Sequence, residues 1–134
     1  MTNFACSGGW AAKIGPEDLS GLLPSIKNNS QILVGIETRD DAGVIEFNSD
    51  TALVSTLDLI TPVTDDPYIF GQIAAANSIS DIYAMGAKAI SALNICCFPE
   101  VGPAKEALVQ IIQGSMDKCI EADVLVIGGH TVRD

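Results

Sequence analysis

The stretch "DDPYIFGQIAAANSISDIYAMGA", residues 65–87, reads as one long helix with both ends marked. Pro67 suits the first helical position, where its missing N–H costs nothing, and Asp65 and Asp66 precede it as capping acids. Gly86 supplies the stop. Ile69, Ile73, Ala76 and Ser80 recur at helical spacing, as do Phe70, Ala74, Asn77 and Asp81. Asn77 and Asp81 lie four residues apart and so share a face. Gly71, Ala74, Ala75, Ala76 and Ser78 leave this helix thin, so something packs close to its backbone.

Upstream, "AGVIEFN" (42–48) and "TALVSTLDLI" (51–60) are β-like, and Asn48, Ser49 and Asp50 between them make a hairpin turn. "SIKNNSQ" (25–31) reads as a loop, and "GPEDLSGLL" (15–23) as a short helix opened by Pro16, Glu17 and Asp18. Residues 1–15 contain glycine and lack periodicity, which predicts a mobile arm. Downstream, "AISALNICCF" (89–98) is a buried strand and "GPAKEALVQIIQGSMDKCIEA" (102–122) a second long helix. "DVLVIGGHTVRD" (123–134) reads as a strand running into a Gly-Gly-His turn. The order β-β-α-β-α-β predicts an α+β fold, a mixed sheet with two long helices on one face. A last strand ending in a turn motif reads as cut. The chain is therefore expected to be an arm (1–15) and an N-terminal domain (16–134) of something larger.

The chain has 134 residues, 48% hydrophobic and 18% charged, enough apolar material for a core. A net charge of −10 argues against a nucleic-acid partner. An acidic protein that binds phosphate needs metal ions or backbone N–H groups to do it. No basic segment leads into an apolar run, and no apolar stretch approaches the roughly 20 residues of a membrane span. Cys6, Cys96, Cys97 and Cys119 form no CxxC pair, and Cys96 and Cys97 sit in an apolar run as buried reduced thiols would. These features predict a cytoplasmic protein with no membrane partner.

Acidic residues recur at element ends: "TRDD" (38–41) before the first hairpin strand, Asp58 near the end of the second, and Asp81 in the long helix. Carboxylates from separate elements can converge on a hard cation such as Mg²⁺, which completes its shell with phosphate and water. Asp58 and Asp81 have mostly apolar neighbours, and the residues alone leave metal or phosphate work and a structural role both open. In "IGGHT" (127–131) two glycines would let backbone N–H groups approach a phosphate, although such turns are common and His130 suits an ordinary turn residue. Lys13 is either a solvated lysine or a mobile cation that closes over phosphates. Trp10, the only tryptophan, is an odd occupant of the glycine-loosened "SGGWAAKI" (7–14).

"GGWAAKIGPEDL", "ETRDDAGV", "STLDLITPVTDDPYIFGQIAAANSISDIYAMGAKAI" and "GGHT" together resemble the N-terminal half of selenophosphate synthetases, in order and spacing over nearly the whole chain. The wider superfamily includes aminoimidazole ribonucleotide synthetase and thiamine-monophosphate kinase. The resemblance implies an enzyme that makes selenophosphate, AMP and orthophosphate from ATP, selenide and water, with Mg²⁺ bridging the ATP phosphates. It implies Asp41 and Asp81 as metal ligands. Lys13, Thr38, Arg39, Asp40, Asp58 and Asp81 would contact ATP or its metal shell. Gly129, His130 and Thr131 would border the nucleotide, from the partner subunit of a homodimer paired through the sheets of its N-terminal domains.

Two departures matter. The family's second domain, with a further metal-binding aspartate, is not in this chain, so the chain alone is expected to be inactive. And Trp10 stands where the family carries the cysteine or selenocysteine that handles selenide; indole has no ionisable chalcogen. Cys6, four residues upstream, could in principle stand in, although its offset from Lys13 differs from the family pattern. Selenocysteine is encoded by UGA, one base from the tryptophan codon UGG, so selenocysteine is the expected natural residue at position 10. The alternatives are another ATP-using superfamily member of the thiamine-monophosphate kinase type, and a non-catalytic dimerisation module.

Overall fold

The computed structural model describes residues 1–4, 18 and 29–133. Cys6, Trp10 and Lys13 lie outside the described residues, as do Asp134 and all of the short helix read over 15–23 except Asp18. After a 3₁₀ turn at Thr2–Phe4 the elements are β1 (Ile32–Val34), β2 (Gly43–Asn48), β3 (Thr51–Ser55), α1 (Pro67–Ala84), β4 (Ser91–Phe98), α2 (Lys105–Glu121) and β5 (Leu125–Arg133).

The α+β class holds, with antiparallel and parallel strands and two long helices. The described strands form two sheets rather than one: an antiparallel β1-β2-β3 sheet and a parallel β4-β5 pair. The hairpin is as expected, with Val44 opposite Val54 and Ile45 opposite Leu53. Asn48 builds its turn, Oδ1 accepting from the backbone N–H groups of Asp50 and Thr51 at 3.0 Å each. β1 is an addition, three residues long with a register shift between Ile32 and Val34. The Gly-Gly-His turn is corrected: Gly128, Gly129 and His130 continue strand β5 opposite Leu93, Asn94 and Ile95. A side chain at Gly129 would collide with the Asn94 carbonyl, so strand approach accounts for this glycine without a turn.

Helix α1 begins and ends where the sequence places it. Asp66 is the N-cap, its Oδ1 accepting from the Ile69 N–H at 3.0 Å. Asp66→Ala is expected to cost about 1 kcal/mol, read as a lower urea midpoint at unchanged slope. At the other end Gly86 adopts φ 71°, with its N–H on the Tyr83 carbonyl and that of Ala87 on Ile82, a Schellman stop. Helix α2 closes in the same way, but Asp123 takes the left-handed position (φ 57°). That conformation penalises a Cβ, so Asp123→Gly is expected to raise stability by about 0.5–1 kcal/mol in the same denaturation assay.

Asp65 is not a cap. Its Oδ1 accepts from the Met1 α-amino group and the Thr2 N–H at 2.8 Å each, and from Thr2 Oγ1 at 2.9 Å. The bond from the α-amino group, with those from Thr2, lowers the carboxyl to about 2. A depressed carboxyl pKa stabilises at pH above the ordinary carboxylate range, and that contribution is lost as pH falls through about 2. The Thr2 amide NMR signal is expected to report this docking as intact at pH 5 and released in that acid window.

The core lies between the helices and the parallel pair: Ala75, Ile79, Ala89, Cys119 and Val124, with Ile82, Ala92, Ala122 and Val126 packed on it. The buried stripe of α1 runs through Phe70, Gly71, Ala75 and Ile79. It is offset by one position from the row beginning at Ile69, so Ile69, Ala76 and Ser80 are exposed. The close partner of this thin helix is α2. A Cβ at Gly71 would strike the backbone of Ile111, and a Cβ at Gly114 the backbone of Tyr68. Tyr68 Oη seals the crossing by donating to Asp117 Oδ2 at 2.9 Å.

Candidate functional site

Beyond Ser55 the chain leaves the hairpin and runs beside α1. Thr56, Asp58 and Ile60 are half-buried while Leu57 and Leu59 are exposed, the alternation of extended chain against one surface. Thr56 Oγ1 donates to Asp81 Oδ2 at 2.8 Å, and Asn77 Nδ2 donates to Asp58 Oδ2. The Thr56 hydroxyl also lies 3.5 Å from the Asp41 carbonyl oxygen, which ties the 38–41 loop to the same place.

That loop follows a tight turn in which the Thr38 N–H and hydroxyl both reach the Gly35 carbonyl, at 3.2 and 2.8 Å. Arg39 adopts φ 58°, the left-handed region that a branched or bulky residue enters at a cost. Arg39, Asp40 and Asp41 line an open cleft of about 370 Å³ with Gly43, Ser55 and Thr56. The structure thus brings Arg39, Asp40 and Asp41 to one cleft and joins Asp81 to it through Thr56. Asp58 follows two residues later on the same segment. Thr38 is exposed and turned to Gly35 instead.

Gly129, His130 and Thr131 are elsewhere. They line a second cleft of about 440 Å³ with Asn94, Cys96 and Met116, between the parallel pair and α2. Within this chain they do not meet the aspartates. Burial pushes the Cys96 thiol up, with a smaller push from Cys97, so it is no ready thiolate.

Thr56 is the site residue that sequence reading did not single out. The signal was present: Thr56 and Asp58 are two apart on extended chain, and Asn77 and Asp81 are four apart on a helix.

Among the described residues the donors around the first cleft are carboxylate, carbonyl and hydroxyl oxygens, without thiol or imidazole, which is the chemistry of a hard cation. Among the described residues no three of His, Cys, Asp and Glu cluster tightly enough to form a metal cage. Mg²⁺ is commonly held by one or two carboxylates with water or phosphate completing the shell, and oxygen donors of this kind are the type that suits it.

The α+β domain, with its two helices and its antiparallel and parallel strands, is of a known class: residues 39–134 match the family of AIR synthase related proteins, N-terminal domain. The chain belongs to that family. Over its whole length it is 50% identical to a selenide, water dikinase of Clostridioides difficile and 50% identical to one of Caldanaerobacter subterraneus. It is 48% identical to selenide, water dikinase 2 of Peptoclostridium acidaminophilum. In each case it covers 39% of the relative's length. The resemblance read from the motifs is therefore borne out. Among the described residues no helix is long and apolar enough to cross a membrane.

Proposed function

We propose that this chain is the ATP- and Mg²⁺-binding N-terminal part of a selenide, water dikinase, which makes selenophosphate, AMP and orthophosphate from ATP, selenide and water. The observation that carries the reading is the identity of about 50% along the whole chain to relatives of that name. Those relatives favour it over a thiamine-monophosphate kinase type.

Phosphoryl transfer needs positioning and charge neutralisation more than covalent machinery. Mg²⁺, when bound, supplies that neutralisation; Asp41 and Asp81 would hold it. Arg39, Asp40 and Asp58 border the nucleotide phosphates and their metal shell in this reading. Thr56 holds Asp81 in one orientation, and the 38–41 loop supplies Thr38 at the outer edge. Lys13 brings a cation to the phosphates, and position 10 is the slot for the chalcogen that handles selenide. The chain's acidity is then partly a means of holding metal.

Gly129, His130 and Thr131 border the nucleotide of the partner subunit in a homodimer. Their separation from the aspartates within one chain is consistent with that arrangement. Exposed apolar strand residues support pairing through the sheets: Phe47 (73% exposed), Leu93 (66%) and Leu125 (70%). Free thiols at Cys96, Cys97 and Cys119 fit a cytoplasmic setting.

The test is calorimetric titration of the full-length protein with a non-hydrolysable ATP analogue and Mg²⁺. Asp81→Asn is expected to weaken binding by at least about 10-fold. Unchanged affinity would remove Asp81 from the site.

A further inference from the structure

We propose that Asn77 is a positioning residue that fixes the Asp58 carboxylate on the segment leading out of the nucleotide cleft; this rests on the ATP–Mg²⁺ reading above. Two elements are laced together here. Thr56 bonds Asp81, and Asp58 bonds Asn77. Along the extended segment the two partners are two residues apart, a span of about 6.6 Å. Along α1 they are four residues apart, a rise of about 6 Å. The spacings match, and the pairing runs in opposite chain directions. The Asn77 rung adds to the Thr56 rung a second tie between segment and helix, and so bears on the separation of Asp58 from Asp81.

The residue type fits that task. Asparagine is a poor helix former, and Asn77 sits well inside α1, so local helix propensity does not explain it. Its amide brings a donor to a carboxylate without adding charge. A carboxylate there would repel Asp58, and a lysine would neutralise a group meant for the metal shell. Asn77 is half-buried, so the contact is partly shielded from competing water.

The experiment uses the full-length protein, titrated with a non-hydrolysable ATP analogue at fixed Mg²⁺, with thermal unfolding recorded alongside. Asn77→Ala is expected to weaken analogue binding about 10-fold, the usual effect of removing an outer-shell partner. Alanine favours the helix, so the fold should persist; if it does not, Asn77→Ser, whose hydroxyl is too short to reach as the amide does, is read in its place and is expected to show the same loss. Asp58→Asn is expected to weaken binding as well. The double variant Asn77→Ala, Asp58→Asn should bind no more weakly than Asp58→Asn alone, because Asn77 acts only through Asp58. A purely structural Asn77 would lower the unfolding temperature and leave analogue affinity at the wild-type value, or give losses that add in the double variant. Either result overturns the proposal while the ATP–Mg²⁺ reading stands. If Asp58→Asn itself leaves affinity unchanged, the role given to Asp58 fails and the proposal fails with it.

Discussion

Gly114→Ala is expected to destabilise the domain by about 3 kcal/mol or more, although the same substitution in an exposed helix stabilises by about 1 kcal/mol. The sign is set by the helix crossing. Gly114 of α2 faces the Tyr68 backbone and Gly71 of α1 faces the Ile111 backbone, so each glycine makes room for the other helix's main chain. Backbone cannot swing aside as a flexible side chain can. The helices must separate, which also loosens the core around Ala75, Ile79 and Cys119. Gly71→Ala should behave alike. Gly128→Ala is the internal control: its new methyl meets only the tip of Leu93 at 3.5 Å, so the change should be small. Chemical denaturation reads all three. A Gly114→Ala midpoint at or above that of the parent would show that the helices do not cross at this depth.

The second large effect concerns position 10. In the full-length protein, Trp10→Cys is expected to raise selenide-dependent turnover at least ~10²-fold over the tryptophan form, because a group that can carry selenide replaces one that cannot. Selenocysteine at this position should act likewise. Trp10→Ser separates chemistry from bulk: it removes the indole without supplying a chalcogen that ionises near neutral pH, and should stay near the tryptophan level. Equal turnover by the tryptophan form and the Trp10→Cys variant would show that this slot carries no chemistry. The coding DNA gives an independent check, since a native UGG at codon 10 contradicts the selenocysteine assignment.

What could be read from the sequence depended on how local the deciding physics is. Both ends of α1 were legible because Asp66, Pro67 and Gly86 each act within a turn of their own position. The hairpin was legible because Asn48 makes its turn through bonds to the next few residues. The division of the strands into two sheets was not, since nothing in a strand's own residues says which neighbour it will hydrogen-bond. Gly128 and Gly129 were misread as a turn for a related reason: the requirement at Gly129 comes from Asn94 on another strand. Asp65 and Asp66 look alike in sequence, yet one caps a helix and the other receives the N-terminal residues from 64 positions away.

The site shows the same division. Asp81 and Asp58 could be picked out as acids in apolar company, and the motif resemblance singled out the 38–41 loop. That Thr56 links Asp81 to this loop needed the path of the chain after β3. The second cleft, lined by Gly129, His130 and Thr131, shares no lining residue with the first, a separation that residues on one strand cannot announce.

The most direct test of the proposed activity is the product mixture of the full-length protein with cysteine or selenocysteine at position 10, incubated with ATP, Mg²⁺ and selenide under anaerobic conditions and followed by ³¹P NMR. The expected result is AMP, orthophosphate and a selenophosphate resonance, with AMP formation that depends on added selenide and is lost in Asp81→Asn. Accumulation of ADP with transfer to another acceptor, or AMP formation indifferent to selenide, would contradict it.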